Sequence, residues 1–406
     1  MGNPSVIRSG MQQVNLEVDG PRRNPYPRAK LLGAVGYPPL TPMRSIIMIS
    51  FVTLCILMGP FAGDVLAGEV GSPVKAIYGF SRKHHAMQGK TPEQMAYTLN
   101  GWGVTAVFGG YDDPALVATL HDRGIRIFAE VALFVGKNLW KRYPHSRPIL
   151  STGVPMAPEG WYYGVNPVIP GIRHHTLKKF QGLIERFPVD GVWLDFIRWP
   201  CRWEKPDPQL LQTSFDPFTL ESFQKDTGIH IPSKVTSIPD RAQWILEHHR
   251  EEWTRWKCQQ ITEFVKQVRE ILKRAPRTIL LGLFGVPWRS LDFDGAIRHI
   301  IAQDYRALSA HVDIFSPMVY HKLCGKDVPW IAEVTTWVWH ETGKPVWPIV
   351  QAMDEPKPLK TQELRQVVKT ALSASGSHGA IIFDHKALSP EKIKVVQEVF
   401  GGGDTH

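Results

Sequence analysis

The feature that most constrains the fold is a regular alternation of strand-like and helix-like segments between residues 74 and 399. Eight short apolar segments are each followed by a helical pattern, and no shorter repeat is visible. This alternation is typical of a parallel sheet covered by helices. Eight units predict an α/β fold, a single (β/α)₈ TIM barrel. The predicted strands cover 74–80, 104–109, 125–134, the start of 190–200, 278–286, 313–320, 346–352 and 379–384.

The predicted helices leave two irregular regions. One is a loop rich in Trp, Tyr and Pro at 136–170. The other is an insertion after strand four, which carries Trp203 and the segment 214–229. We expect one barrel domain over 72–400, because a single closed barrel explains the count of units better than two domains. The predicted helices cover 92–101, 113–123, 172–187, 240–273, 295–309, 328–341, 361–374 and 390–399.

The N-terminal region differs in composition from the rest. Residues 1–42 are polar and lack periodicity, which predicts a disordered segment or a wrongly assigned extension ahead of a true start at Met43. Residues 43–67 have the basic start, 13-residue apolar run (46–58) and small-residue end of a signal peptide. The run is short for a membrane span, which favours a signal peptide. An uncleaved membrane anchor through 46–58 is the alternative. The predicted location is therefore secreted or periplasmic.

The charge and the aromatic content indicate the class of partner. The net charge is +9, and it is +6 without residues 1–67, which hold six Lys/Arg and three Asp/Glu. The basic residues form no run, so a nucleic-acid partner is not expected. All 14 Trp lie after residue 100, and indole rings suit flat apolar ligands such as sugar faces. A carbohydrate partner is predicted, with no cofactor and with the oligomeric state left open.

The cysteines and histidines fit no metal motif. After the signal segment three cysteines remain, and a disulfide is expected in an oxidising compartment. Cys201 and Cys324 both follow strand ends on one face and form the preferred pair, which leaves Cys258 free. A metal-dependent barrel hydrolase needs histidines on several strands, whereas His84 and His85 lie beyond strand one and strand five has none. No metal site is predicted.

The segment DGVWLDFIRWP, Asp190–Pro200, is the strongest functional signal. Val192 and Leu194 point to one face of the strand, while Trp193 and Asp195 point to the other. An acid at the carboxyl end of an apolar strand packs poorly, but TIM barrels gather their active sites at that end. The alternative is that Asp195 only caps the following turn.

Further candidates lie at the carboxyl ends of the other predicted strands, because these ends meet at one barrel mouth. Asp384 repeats the pattern of an apolar strand ending in an acid and ranks second after Asp195. Carboxylates among aromatic rings suit glycoside hydrolysis, which needs an acid together with a base or nucleophile. The catalytic candidates are Asp195, Asp384, Glu130 and Asp354. The substrate-binding candidates are Arg198, Trp199, Trp203, Tyr320, His321, Trp288 and Trp161.

Structural roles remain open for several of these residues. Glu130 could pair with a barrel arginine, and His321 could donate to a loop carbonyl. Asp292 and Asp294 fit helix N-caps better than catalysis. Arg198 could keep Asp195 ionised or form a rim salt bridge, and either contact requires a bend after the strand.

The motif Asp190–Pro200 resembles the DGxxLDxIRYP signature of the bacterial hypothetical glycosyl hydrolase barrels. These are related to the hydrolase domain of the poly-N-acetylglucosamine export deacetylase. The segment Phe315–His321 is similar to their sixth strand, and the alternation over 74–399 matches their barrel. The resemblance implies that Asp195 is the catalytic carboxylate.

Two other families match less well. The segment is similar to the DGxDxDxE strand of chitinase family 18, but Trp193 replaces an acid and Ile197 occupies the proton-donor position. Compared with α-amylase-like barrels, strand five offers no Glu. The expected function is a secreted glycoside hydrolase centred on Asp195, with an unassigned partner acid. A barrel that binds carbohydrate without cleaving it is the alternative.

Overall fold

The computed structural model describes residues 72–402 and confirms the predicted barrel. Eight parallel strands are hydrogen-bonded in sequence order, and β8 closes the sheet against β1. The strands are β1 (Val74–Tyr78), β2 (Ala106–Phe108), β3 (Arg126–Ala132), β4 (Gly191–Asp195), β5 (Leu280–Gly285), β6 (Ile314–Val319), β7 (Ile349–Gln351) and β8 (Gly379–Phe383).

The helices begin where the sequence supplies proline and capping side chains. Within residues 72–402, seven helices carry Pro in the first turn, where a missing N–H costs nothing. The helices are α1 (Pro92–Gly101), α2 (Pro114–Asp122), α3 (Lys137–Arg142), α4 (Pro170–Arg186), α5 (Pro217–Thr227), α6 (Ile238–His248), α7 (Arg250–Lys273), α8 (Ala296–His299), α9 (Tyr305–Leu308), α10 (Pro329–Thr342), α11 (Thr361–Ser373) and α12 (Pro390–Phe400).

Two predicted helices are interrupted in the structure. The helix expected over 240–273 is divided at His249, whose φ of −140° is not helical, into α6 and α7. The helix expected over 295–309 is reduced to the short α8 and α9. Ala302, inside the expected range, has a left-handed φ of 60°, so the chain cannot continue as one regular helix from α8 to α9. The insertion after strand four is confirmed and contains α5, α6 and α7.

Aromatic side chains fill the inside of the barrel. The Trp193 indole of β4 stacks on Trp347 with ring centroids 5.3 Å apart, and it also contacts Phe108 and Phe128 from β2 and β3. Its Nε1–H donates to Ser316 Oγ of β6 at 3.0 Å. These partners come from several sides of the barrel, which confirms that the Trp193 face of β4 points inward.

The expected disulfide between Cys201 and Cys324 is wrong for this structure. All three cysteines of the described residues are free and buried. The Cys201 thiol donates to the carbonyl of Gln209 at 3.7 Å, so a backbone acceptor in its own loop takes the place of the expected partner sulfur. Cys258 donates in the same way to the carbonyl of Arg298.

The predictions for residues 1–42 and 43–67, and for a membrane anchor through 46–58, lie outside the described residues. Among residues 72–402, every helix is too short or too polar to cross a bilayer.

The close packing of Trp193 on β5 gives a stability prediction. Gly282 faces Trp193 across β4 and β5, and a Cβ there would collide with the indole ring. Gly282→Ala should therefore lower the free energy of unfolding by about 2 kcal/mol or more. The matched control is Gly182→Ala in α4, where a methyl group meets no atom within 4 Å. It should be neutral or stabilising by up to about 1 kcal/mol.

The free energies of unfolding of both variants are measured by urea denaturation. Equal effects of the two substitutions would contradict the packing described for Trp193.

Candidate active site

Asp195 is the last residue of β4 and lies at the barrel mouth. Its residue exposure is 6%, and its Oδ1 accepts a 2.7 Å hydrogen bond from the N–H of Phe196. Phe196 has a φ of 51°, which is strained for a bulky residue, so the chain bends sharply after the strand. This bend brings Arg198 Nη1 to 3.7 Å from Asp195 Oδ1. The contact predicted to require a bend is therefore present.

Burial controls the charge of Asp195. Removal of water raises the pKa of the Asp195 carboxyl most strongly, and the nearby Glu130 carboxyl raises it further. Arg198 and the Phe196 N–H lower it, but the net result is a pKa of about 8. Arg198 acts in the direction expected of it, because it lowers the pKa, but desolvation has the larger effect in the opposite direction.

Glu130 lies on the neighbouring strand beside Asp195. Ala132 of β3 is in register with Asp195, and Glu130 precedes Ala132 by two residues on the same face. Strand spacing puts the Cα atoms of Glu130 and Asp195 about 8 Å apart. The Tyr78 hydroxyl of β1 donates a hydrogen bond to Glu130 Oε2, so a phenol takes the position considered for an arginine. Burial raises the Glu130 pKa, and the bond from Tyr78 opposes that rise.

Tyr320 is a buried tyrosine on which the carboxyl groups of the mouth act electrostatically. Burial raises the pKa of its hydroxyl well above the usual value, and the negative charges of the surrounding carboxyls raise it further. Its ring stacks on Trp203 at 5.9 Å and contacts Phe383 at 5.0 Å, and Phe383 in turn contacts Tyr78 at 4.9 Å. The four rings form one wall of the mouth. The carboxyls that act on Tyr320 are Asp195, Glu204, Glu130 and Asp384.

Glu204 was missed by the sequence reasoning. It lies in the loop between β4 and α5, nine residues after Asp195, and no strand end or cap motif singles it out. Its Oε1 is 3.9 Å from Arg198 Nη2, and burial raises the pKa of its carboxyl. The only signal in the sequence is an acid within the Trp-rich insertion, and the fold of that loop decides where the acid lies.

The structure gives Asp384 and Asp354 structural contacts. Asp384 is buried after β8, and its Oδ1 accepts the N–H of Ala387 at 3.1 Å, so it caps a turn while its charge still reaches Tyr320. Asp354 pairs with Lys392 at 2.9 Å and has a side chain that is 58% exposed. The structure does not bring Asp354 to the group around Asp195, which contradicts its place among the catalytic candidates.

Several predicted sugar-stacking side chains are covered by the protein. Trp199 and Trp203 are fully buried, the first near Trp256 and the second against Tyr320. Trp288 is 4% exposed and packs on Phe293. The prediction that these three indoles hold a sugar is wrong, because an open ring face is required for stacking.

Trp161 keeps a partly exposed ring at the rim, beside Phe196. His321 is buried, and its Nε2 lies 3.0 Å from Glu363 Oε1, so it contacts a carboxylate rather than the expected carbonyl. Asp292 and Asp294 do not cap a helix by their side chains; Asp292 accepts the N–H of Arg289 at 2.7 Å instead. Of these residues, Trp161 is the one that can still offer a ring to a ligand.

Within residues 72–402, no group of three or more His, Cys, Asp or Glu side chains is arranged to hold a metal ion. The imidazoles of His84, His85 and His385 lie close together, but His84 stacks on His385 with centroids 3.9 Å apart. Stacked rings do not direct their nitrogens to a common point.

A closed (β/α)₈ barrel with one acid on β3 and another at the carboxyl end of β4 is an arrangement that TIM-barrel glycoside hydrolases share. The family model described as "Putative glycosyl hydrolase domain" matches residues 100–336, more than half of the chain. The protein therefore belongs to this family. No curated protein matches the sequence.

Solved structures share the fold. The glycoside hydrolase domain of PgaB (BpsB) from Bordetella bronchiseptica is 14% identical with a TM-score of 0.59, over 81% of this chain and 98% of that domain. The β-galactosidase of Marinomonas ef1 is 13% identical with a TM-score of 0.57, over 81% of this chain and 59% of the enzyme. The β-galactosidase of Rahnella sp. R3 is 11% identical with a TM-score of 0.56, over 81% and 56%. At these identities the similarity extends to the fold alone.

The raised pKa of Asp195 predicts how stability depends on pH. The folded protein binds this proton more tightly than the unfolded chain, so stability falls as the pH rises from about 4 towards about 8. Asp195→Asn cannot ionise, so it should unfold at a higher temperature than the wild type at pH 8. The corresponding gain in the free energy of unfolding should be on the order of a few kcal/mol at pH 8, and it should be smaller at pH 5.

The control is Asp190→Asn, at the other acid of the same motif. Asp190 Oδ2 accepts the N–H of Ile127 at 2.7 Å and contacts His121 at 2.9 Å. Asparagine keeps one acceptor oxygen but loses the charge, so the substitution should cost about 1 kcal/mol or less. Both variants are compared with the wild type by thermal unfolding across the pH range. A wild type that gains stability from pH 5 to pH 8 relative to Asp195→Asn would contradict the burial argument.

Proposed function

We propose that the protein is a glycoside hydrolase that cleaves a polysaccharide or oligosaccharide, with Asp195 as its central catalytic carboxylate. The observation that carries the proposal is the buried Asp195 carboxyl, whose pKa is raised to about 8 at the mouth of the barrel. An acid that stays protonated near neutral pH is what protonation of a glycosidic oxygen requires.

Glu130 is the partner acid in this proposal. Glu130 and Asp195 lie on neighbouring strands with their side chains on the same face, so both carboxyls can approach one sugar bond. The Tyr78 hydroxyl donates to Glu130 and stabilises its carboxylate form. Asp195 then donates a proton to the leaving oxygen, while the Glu130 carboxylate acts as nucleophile or base at the anomeric carbon. The different surroundings of the two acids support these separate roles.

The family and the fold support the reaction class. The matched family is described as a putative glycosyl hydrolase domain, and the proteins of similar fold include a glycoside hydrolase domain and β-galactosidases. The signal-like segment 43–67 supports a secreted or periplasmic protein. Trp161 is the aromatic residue proposed to contact the sugar, since the Tyr320 ring is covered by Trp203 and Phe383. Asp384 is proposed to act on the site only through its charge on Tyr320.

The test is turnover on a panel of polysaccharides and oligosaccharides, measured as new reducing ends. Asp195→Asn and Glu130→Gln should each lower kcat by about a hundredfold or more, because each removes a group that transfers a proton or attacks carbon. Wild-type kcat should fall above about pH 8, as Asp195 loses its proton.

The matched control is Asp113→Asn. Asp113 also follows a strand at the barrel mouth, but it caps α2 and pairs with Arg82. Asparagine keeps the cap, so kcat should stay close to the wild-type value. Unchanged turnover in Asp195→Asn would remove this residue from catalysis. Glycan binding without any new reducing ends would support the non-catalytic barrel instead.

A further inference from the structure

Arg198 is buried in the loop after β4 without hydrogen-bond partners. Its side chain is 1% exposed, and none of its three guanidinium nitrogens forms a hydrogen bond with any residue between 72 and 402. Phe196 packs on the guanidinium at 4.5 Å, a contact that leaves the N–H groups free. Buried donors nearly always have an acceptor, so five N–H groups without one indicate that a group other than residues 72–402 supplies it.

Glu204 offers the complementary atoms beside Arg198. Its Oε2 is buried and also lacks a partner in the described part of the chain. Its Oε1 lies 3.9 Å from Arg198 Nη2, while Asp195 Oδ1 lies 3.7 Å from Nη1. These distances are too long for hydrogen bonds but short enough for electrostatic attraction. Free donors and a free acceptor therefore stand side by side, directly next to Asp195.

We infer that Arg198 and Glu204 form a subsite for neighbouring hydroxyl groups of a neutral sugar. A hydroxyl group accepts from a guanidinium N–H and donates to a carboxylate oxygen, so two hydroxyls satisfy both residues at once. The location of this sugar next to the cleaved bond rests on the proposed function, whereas the binding chemistry does not.

A sugar acid fits the subsite less well than a neutral sugar. The carboxylate of a uronic acid would bind the fork of Arg198, but it carries no proton to donate to Glu204. It would also bring a second negative charge close to the Glu204 carboxylate, which like charges oppose. In the free protein, water satisfies the same atoms, and sugar hydroxyls replace it with the same donor and acceptor pattern.

The test uses matched pairs of oligosaccharides that differ only at C6. Gluco- and glucurono-oligosaccharides, and galacto- and galacturono-oligosaccharides, of equal length and linkage are titrated into the full chain by calorimetry. The wild type should bind a neutral member and bind its acidic partner at least about tenfold more weakly. Glu204→Gln, which keeps the shape of the side chain, should weaken binding of the neutral sugar by about tenfold. It should also reduce the difference in affinity between the neutral and the acidic sugar. Arg198→Lys should weaken binding of both sugars.

The control is Lys205→Gln on the same loop. Lys205 pairs with Glu159 at 3.2 Å on the rim, so its loss should leave both affinities unchanged. Stronger wild-type binding of the acidic member, no binding of any neutral member, or wild-type affinity in a folded Glu204→Gln would each overturn the subsite. If Arg198→Lys fails to fold, Glu204→Gln carries the test alone.

The two proposals fail separately because affinity and the release of reducing ends are measured in separate assays. Neutral-sugar binding that depends on Glu204 but releases no reducing ends would refute hydrolysis and keep the subsite. Turnover that depends on Asp195 but not on Glu204, with unchanged affinity in Glu204→Gln, would refute the subsite and keep hydrolysis.

Discussion

The structure of the mouth depends on the burial of one carboxyl group at the end of β4. Asp195 is enclosed by the bend at Phe196, by Arg198 and by the acids of neighbouring elements. Because water is excluded there, the desolvation cost of a negative charge is larger than the attraction to a single guanidinium. The result is a carboxyl whose pKa is raised to about 8. A carboxyl group with this property is unfavourable for stability and useful for proton transfer.

The barrel supplies the rigid support for this arrangement. Trp193 lies two residues before Asp195 on the same inward face of β4. Its indole packs against Trp347 and fills the space next to Gly282. Its indole N–H reaches Ser316 on β6 and so links two sides of the barrel. A side chain of this size at the centre of the fold leaves β4 little freedom to shift, which fixes the carboxyl two residues later.

Much of the fold could be predicted from the sequence, because strand and helix periodicities are local properties of the chain. The inward direction of Asp195 followed from its alternation with Val192 and Leu194. Helix interruptions were missed where single backbone angles decide, as at His249 and Ala302. The different surroundings of the two acids in the motif are visible only in the structure. Asp190 accepts the Ile127 N–H and contacts His121, while Asp195 is buried at the mouth.

The candidate site was predicted less completely than the fold. Projection of strand ends found Asp195 and Glu130, since both lie on regular strands. It also selected Asp354, whose loop carries it to Lys392, and indoles such as Trp203 that the protein covers. Glu204 was missed because a long loop decides its position. Contacts made by loops depend on tertiary packing, which periodicity does not encode.

The most direct measurement is the ionisation of Asp195 itself. Infrared difference spectra of the wild type minus Asp195→Asn isolate the C=O band of the protonated carboxyl. Burial at the mouth predicts that this band is present at pH 7 and disappears with a midpoint of about pH 8. A midpoint near the ordinary aspartate value of about 4 would contradict the account, because an acid ionised at neutral pH has no proton to give to a glycosidic oxygen.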